Sequence, residues 1–184
     1  MLLGLAGVTG AGKSYFKDRI VEKFNFEKIK IVTNREMRVG EVNNEDKIFV
    51  NNDELDSLKK SGKIGFDFDL LGYTYAYLNE ELFSSNNMVF ELHYSTIFDF
   101  KKVCPNLRTI YIFPTDIEMA KEKTRQRNLK PIVEEKRLLE IDEHYNKITT
   151  DKNLQSQFDY FIYNNYDKES EQKLFDLVTK ILKE

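Results

Sequence analysis

The sequence predicts an α/β fold, a parallel sheet flanked by helices on both faces. Three observations predict it. Apolar runs of strand length recur along the chain, at residues 2–6, 29–32, 88–92, 107–113 and 160–163. Segments with helical spacing lie between several of these runs, and strands that alternate with helices pair in parallel beneath them. The 184 residues, 41% of them hydrophobic, suffice for one ordinary core and not for a second full domain.

In chain order, residues 2–6 (LLGLA) are apolar throughout, as suits a strand covered on both faces. Residues 13–24 set Phe16, Ile20, Val21 and Phe24 at helical spacing. Residues 107–113 form another strand, followed by charged helices over 116–127 and 133–145 with Pro131 as the break between them. After the last strand, residues 168–182 gather Leu174, Leu177, Val178, Ile181 and Leu182 on one face, a helix expected to dock on the sheet and close the fold. Two stretches fit this alternation poorly. Residues 34–83 are rich in Asn, Asp, Lys and aromatics, and residues 121–149 are dense in charge. Neither carries enough apolar surface for a core of its own, so both read as insertions that move over a rigid body. No internal repeat, low-complexity tract or Pro/Gly linker divides the chain.

Charge narrows the function. The 28 basic residues nearly balance the 31 acidic ones, a formal charge of −3, which gives no global nucleic-acid signature, so any basic site is local. The lone Cys104 excludes an intramolecular disulfide framework, and two histidines make a structural zinc site a poor expectation. The first residues are apolar for too short a distance to form a signal peptide or a membrane span. A soluble, cytoplasmic protein in a reducing setting is expected, with neither nucleic acid nor membrane as partner.

The most specific motif is GVTGAGKS, residues 7–14, between a predicted strand and a predicted helix. Gly7, Gly12, Lys13 and Ser14 match GxxxxGK(S/T), the phosphate-binding loop, in the context that motif requires. Its glycines let the backbone turn tightly and aim N–H groups inward, and the following helix adds its positive end. The guest is a di- or triphosphate such as ATP. Gly7, Gly10, Ala11, Gly12, Lys13, Ser14 and Tyr15 would line it, with Lys13 on the terminal phosphates and Ser14 supplying a hydroxyl to Mg²⁺. The fold class is then a P-loop NTPase fold. An NKxD guanine-reading motif is absent, which argues against a Ras-like GTPase. Glu91 ends the strand MVFE and is either the acidic group that orients Mg²⁺ through water or an ordinary strand-terminal acid.

In TNREMRVGE, residues 33–41, Arg35 and Arg38 can present guanidinium forks to a second phosphate from an irregular loop. This stretch resembles TTRxxRxGE of the guanylate kinases and stands at about the right distance after the loop. Residues 40–58 (GEVNNEDKIFVNNDELDSL) are similar to that family in spacing, and GYTY at 72–75 resembles its glycine-tyrosine element. FELHY, KTRQRN, EKRLLE and IYNNYD fall in order where the family has its acidic strand, lid arginines and a late Asn. The resemblance implies ATP- and Mg²⁺-dependent phosphorylation of a nucleoside monophosphate, GMP in the family. It implies a core over 1–33, 84–120 and 150–184, an insertion for the monophosphate over 34–83 and a lid over 121–149. It puts Arg35, Arg38, Tyr75 and Glu91 on the acceptor side. It makes Lys13, Arg38, Arg127 and Arg137 the catalytic cations, with Arg125 as a further lid arginine.

The departures from the family gather in the acceptor pocket. Ile31 stands where the family has a serine, Lys47 where it has a phosphate-binding tyrosine, Phe66 near its guanine-reading glutamate, Tyr77 for a small hydroxyl residue and Glu91 for an aspartate. Asp67 or Asp69 could replace the glutamate if the alignment slips. Each unmade hydrogen bond to guanine costs about 1–3 kcal/mol, so guanine specificity is weakened relative to the phosphate grip. Phe66, Phe68, Tyr73, Tyr75 and Tyr77 either stack on a base or mark the core face of a small sheet. His93 and His144 are expected to be structural or exposed, and Cys104 small and buried. Three classes remain open: a nucleoside monophosphate kinase, monomeric or homodimeric; a kinase of the same shape for another phosphorylated metabolite, such as a ribose bisphosphate; and a non-catalytic phospholigand-binding module.

Overall fold

A computed structural model describes residues 1–37 and 40–184. Nine strands and eight α-helices follow one another among those residues as β1 (Leu2–Gly7), α1 (Lys13–Phe24), β2 (Glu27–Lys28), β3 (Ile31–Thr33), β4 (Lys47–Phe49), α2 (Asn52–Lys60), β5 (Ile64–Leu70), β6 (Tyr73–Leu78), α3 (Asn79–Leu82), β7 (Met88–Glu91), α4 (Ile97–Val103), β8 (Leu107–Pro114), α5 (Ile117–Arg125), α6 (Pro131–Thr150), α7 (Lys152–Gln155), β9 (Tyr160–Asn164) and α8 (Lys168–Ile181).

Five strands form the expected parallel sheet in the order β2-β7-β1-β8-β9. Its central strand, β1, is buried at every position, because helices cover both faces. Two apolar clusters fill those faces. One holds Leu3, Leu5, Phe16, Ile20, Val89, Ile110, Ile112, Leu174 and Val178, so α1 and α8 cover that side. The other holds Phe90, Ile97, Phe100, Tyr111, Phe113, Ile148 and Leu154, under α4, α6 and α7.

The apolar run at 29–32 divides between two sheets. β2 ends at Lys28, Ile29 donates its N–H to Val89 O, and β3 then joins a separate four-stranded mixed sheet of order β4-β3-β6-β5. Periodicity alone cannot reveal this, since one apolar run serves either sheet. The second sheet also corrects the expectation of a coreless insertion. Val32, Leu55 and Ala76 form a small core with Ile48, Val50, Leu58, Ile64 and Leu78 packed against it. Helix α2 is started by a capping box, in which the Asn51 side chain accepts from Glu54 N–H and the Glu54 carboxylate accepts from Asn51 N–H. The second half of α6, through Ile141, His144 and Ile148, is buried in the main body. Only its first half is exposed enough to serve as a mobile cover.

Candidate active site

The phosphate loop takes the geometry its glycines dictate. Gly10 and Gly12 lie at φ +84° and +95°. A Cβ on Gly10 would fall 2.1 Å from Ala120 O, and one on Gly12 would fall 2.5 Å from Asn164 Nδ2. Ala11 donates its N–H to Val8 O, while the N–H groups of Thr9, Gly10 and Gly12 have no acceptor among the described residues. They stand ready for an anion at the N-terminus of α1. The loop is braced from β9 and the turn after it: Asn164 Nδ2 donates to Ala11 O at 2.9 Å and Tyr166 Oη donates to Gly10 O at 3.0 Å. The sequence points to a late Asn in IYNNYD without choosing between Asn164 and Asn165, and the structure selects Asn164; Tyr166, in a left-handed turn at φ 60°, carries no role legible in the sequence.

Lys13 curls into the loop and donates from Nζ to the carbonyls of Gly7 and Val8, both at 2.9 Å. Burial depresses its pKa, Glu91 opposes that, and the cationic side chains of Arg127 and Arg137 reinforce it. Arg127 follows α5, its N–H donating to Thr124 O, and Arg137 lies on α6, 2.5 Å from Glu140.

Glu91 ends β7 beside the loop, with β7 paired to β1 so that Glu91 lies opposite Leu5. Its Oε1 accepts from Ser14 Oγ at 2.8 Å and meets Lys17 Nζ at 3.3 Å. Burial pushes the carboxyl toward protonation, but Lys17, Lys13, the Ser14 hydroxyl and Lys47 outweigh it and hold the pKa below the usual carboxylate value. An ionised carboxylate adjoining the loop's serine hydroxyl is a donor set that suits a hydrated Mg²⁺. Tyr15 is half exposed and its hydroxyl bonds Glu171, which also takes Arg19.

After β3, Arg35 is buried and forks onto Glu41 through two bonds, Nη1 to Oε2 at 2.8 Å and Nη2 to Oε1 at 2.5 Å. It also donates to Glu36 O and lies over the Phe49 ring. Lys47 approaches the same Glu41 at 3.5 Å. A cavity of about 100 Å³ opens here, lined by Gly40, Glu41, Val42, Glu45, Asp46, Lys47 and Phe49. Arg38 lies outside the described residues. Tyr75 stacks on Phe68 at 5.5 Å, and Phe68 stacks in turn on Tyr77 and on His93.

Phe66 and Tyr77 pack into the main core through Phe90 and Phe100, Phe68 packs against Phe66 and Tyr77, and the Tyr77 hydroxyl is spent on Glu91 O at 3.1 Å. By strand alternation Asp67 and Asp69 face away from these rings. They bind Lys59 and Thr74. His93 accepts at Nδ1 from the Ser95 N–H, and burial lowers its pKa to about 4. His144 is buried, stacked on Tyr94 at 3.8 Å and bonded to Tyr111 Oη at 3.1 Å, its pKa lowered to about 3 by burial first. Cys104 is buried.

The parallel sheet, the loop at the end of β1 and the acidic end of β7 define a P-loop NTPase fold. Within that class the chain resembles guanylate kinases in both sequence and structure. The guanylate kinase of Streptococcus thermophilus strain CNRZ 1066 is 27% identical over 129 residues, 67% of this chain and 62% of that protein, so the matched stretch spans less than two thirds of that relative. The guanylate kinase of Wolbachia pipientis wMel is 24% identical over 188 aligned positions, 98% of this chain and 90% of the relative. Among solved structures, guanylate kinase from Anaplasma phagocytophilum superposes with a TM-score of 0.72 at 20% identity, over 100% of this chain and 84% of that one. Shikimate kinase from Acinetobacter baumannii shares the fold more distantly, with a TM-score of 0.51 at 15% identity, over 98% of this chain and 92% of that one. No family model matches the chain. Among the described residues no helix is long and apolar enough to cross a membrane.

Proposed function

We propose that the chain is a guanylate kinase-like nucleoside monophosphate kinase, moving a phosphoryl group from ATP to the phosphate of a monophosphate acceptor. The observation that supports this most directly is the placing of the Lys13 ammonium inside a loop whose Thr9, Gly10 and Gly12 N–H groups have no acceptor among the described residues, next to the Ser14–Glu91 pair. Transfer between two phosphates requires in-line placement and stabilisation of spreading negative charge, and it needs no protein base when the acceptor is already an anion. Lys13 would leave the Gly7 and Val8 carbonyls for the donor's terminal phosphates. Arg127 and Arg137 would take up charge as the exposed half of α6 closes, and that closure excludes water. Ser14 and Glu91 would hold Mg²⁺, which when bound offsets phosphate charge. Residues 34–83 would carry the acceptor through Arg35, Arg38 and Tyr75, with the Glu41 pairing holding Arg35 ready to exchange one anion for another. Residues 121–149 would act as the lid.

GMP is the acceptor the named relatives suggest. A specific observation favours a second reading, a different phosphorylated acceptor: the ring face of β5 and β6 offers no carboxylate to guanine N–H groups, since Asp67 and Asp69 are engaged elsewhere. A coupled ADP-release screen over GMP, AMP, CMP, UMP and small phosphate esters separates the two. Lys13→Ala should abolish acceptor-dependent ADP release while leaving the melting curve intact. Release that persists in Lys13→Ala, or none in the native chain with any acceptor, would end the kinase reading.

A further inference from the structure

The charge network contains one member that neither the loop motif nor the arginine pair explains. Lys17 lies one turn beyond Ser14 on α1 and is only 4% exposed. Its ammonium lies 3.3 Å from Glu91 Oε1 and 3.1 Å from Asp46 Oδ1. Glu91 belongs to the loop side of the site and is also bonded to Ser14. Asp46 belongs to the insertion and sits at its root, where its backbone carbonyl accepts from Ile31 N–H at 3.2 Å, just where β3 leaves the main body. Lys28, on β2, approaches the same Asp46 oxygen at 3.4 Å and holds Asp18 at 2.7 Å. A lysine this buried is stable only when its charge is matched, and here the two matching carboxylates come from the two parts of the molecule that would carry the two substrates.

We propose that Lys17 is a positioning residue that latches the root of the acceptor insertion to the phosphate-loop body through Asp46 while aiming Glu91 at Ser14. The proposal rests on the kinase reading for its effect on turnover, but the latch itself is a property of the ligand-free chain. One ammonium serves both carboxylates, so a change on the Glu91 side alters the hold on Asp46, and acceptor binding is coupled to the state of the phosphate loop. Breaking a partly buried pair by removing one partner leaves a charge uncompensated.

The test uses the full chain with Lys17→Met, Lys17→Arg and Asp46→Asn, each read in two ways. The first is amide hydrogen exchange without ligand. Asp46→Asn and Lys17→Met should raise exchange at Ile31 and through β3 and β4, leave β1 and β8 as in the native chain, and Lys17→Arg should restore protection. Unchanged exchange at the root overturns the latch whatever the acceptor is, and a rise everywhere assigns Lys17 to general stability instead. The second is steady-state kinetics with ATP, Mg²⁺ and each of GMP, AMP, CMP and UMP. Asp46→Asn should raise the acceptor KM by about tenfold with kcat changed by less than about threefold, and leave the KM for ATP near the native value. Lys17→Met should raise both KM values. Equal effects of Asp46→Asn on both substrates would overturn the coupling. Absence of turnover in the native chain refutes the kinase reading instead, and the exchange measurement still decides the latch. Should Lys17→Met not fold, Asp46→Asn decides the proposal, because Asp46 is partly exposed.

Discussion

At the scale of single residues, the buried imidazoles make a definite statement about pH. His93 and His144 have pKa values lowered to about 4 and about 3 from an ordinary 6.5, burial being the first cause in each. The unfolded chain therefore binds more protons than the native one between those limits. Their contribution is fully present above about pH 6.5 and is lost as pH falls through the interval toward the folded values. Melting temperature should drop from about pH 7 to about pH 5, and His144→Phe, which keeps an aromatic ring against Tyr94, should show a shallower drop. An unchanged slope in that variant would remove His144 from the account. Both histidines were expected to be structural or exposed, and the ring contacts of His144 with Tyr94 and Tyr111 put it on the structural side.

At the scale of elements, the loop between β1 and α1 is shaped by contacts that come from far along the chain. Ala120 on α5 and Asn164 on β9 close over Gly10 and Gly12. Gly10→Ala should lower both the melting temperature and ATP affinity, because its Cβ would strike the backbone of α5. Gly62→Ala, also at positive φ (68°) but with open space around it, should cost only the left-handed strain, about 1 kcal/mol, and leave ATP binding alone. Isothermal titration with ATP and Mg²⁺ against the two variants checks this. If the two substitutions weaken ATP equally, the crowding at Ala120 is not what shapes the loop.

At the scale of the whole molecule, the two sheets are joined by rings. Phe100 on α4 is fully buried, 4.5 Å from Phe66 of the second sheet and 5.2 Å from both Tyr77 and Phe90. Phe100→Ala should cost about 3–5 kcal/mol in urea denaturation, since a ring-sized void between two sheets has little means of collapse. A loss below about 1 kcal/mol would show that the insertion is seated by other contacts. The same packing explains why the aromatic alternation at 64–78 could be read from sequence either as a base-stacking wall or as a core face. The alternation shows which residues share a face and does not show what covers it. α4 covers it, an element remote in sequence.

The sequence by itself determined the parallel sheet, the phosphate loop with Lys13 and Ser14, and the likeness to guanylate kinases, because apolar periodicity and a contiguous glycine motif are local properties of the chain. Tertiary structure alone decided that residues 29–32 divide between two sheets and that Arg35 forks onto Glu41. It also decided that the late half of α6 belongs to the core and that Lys17 joins Glu91 to Asp46. Each of these turns on which charges and apolar faces find each other across distances the chain order does not encode, and a lysine between two acids reads in sequence as one more solvated charge.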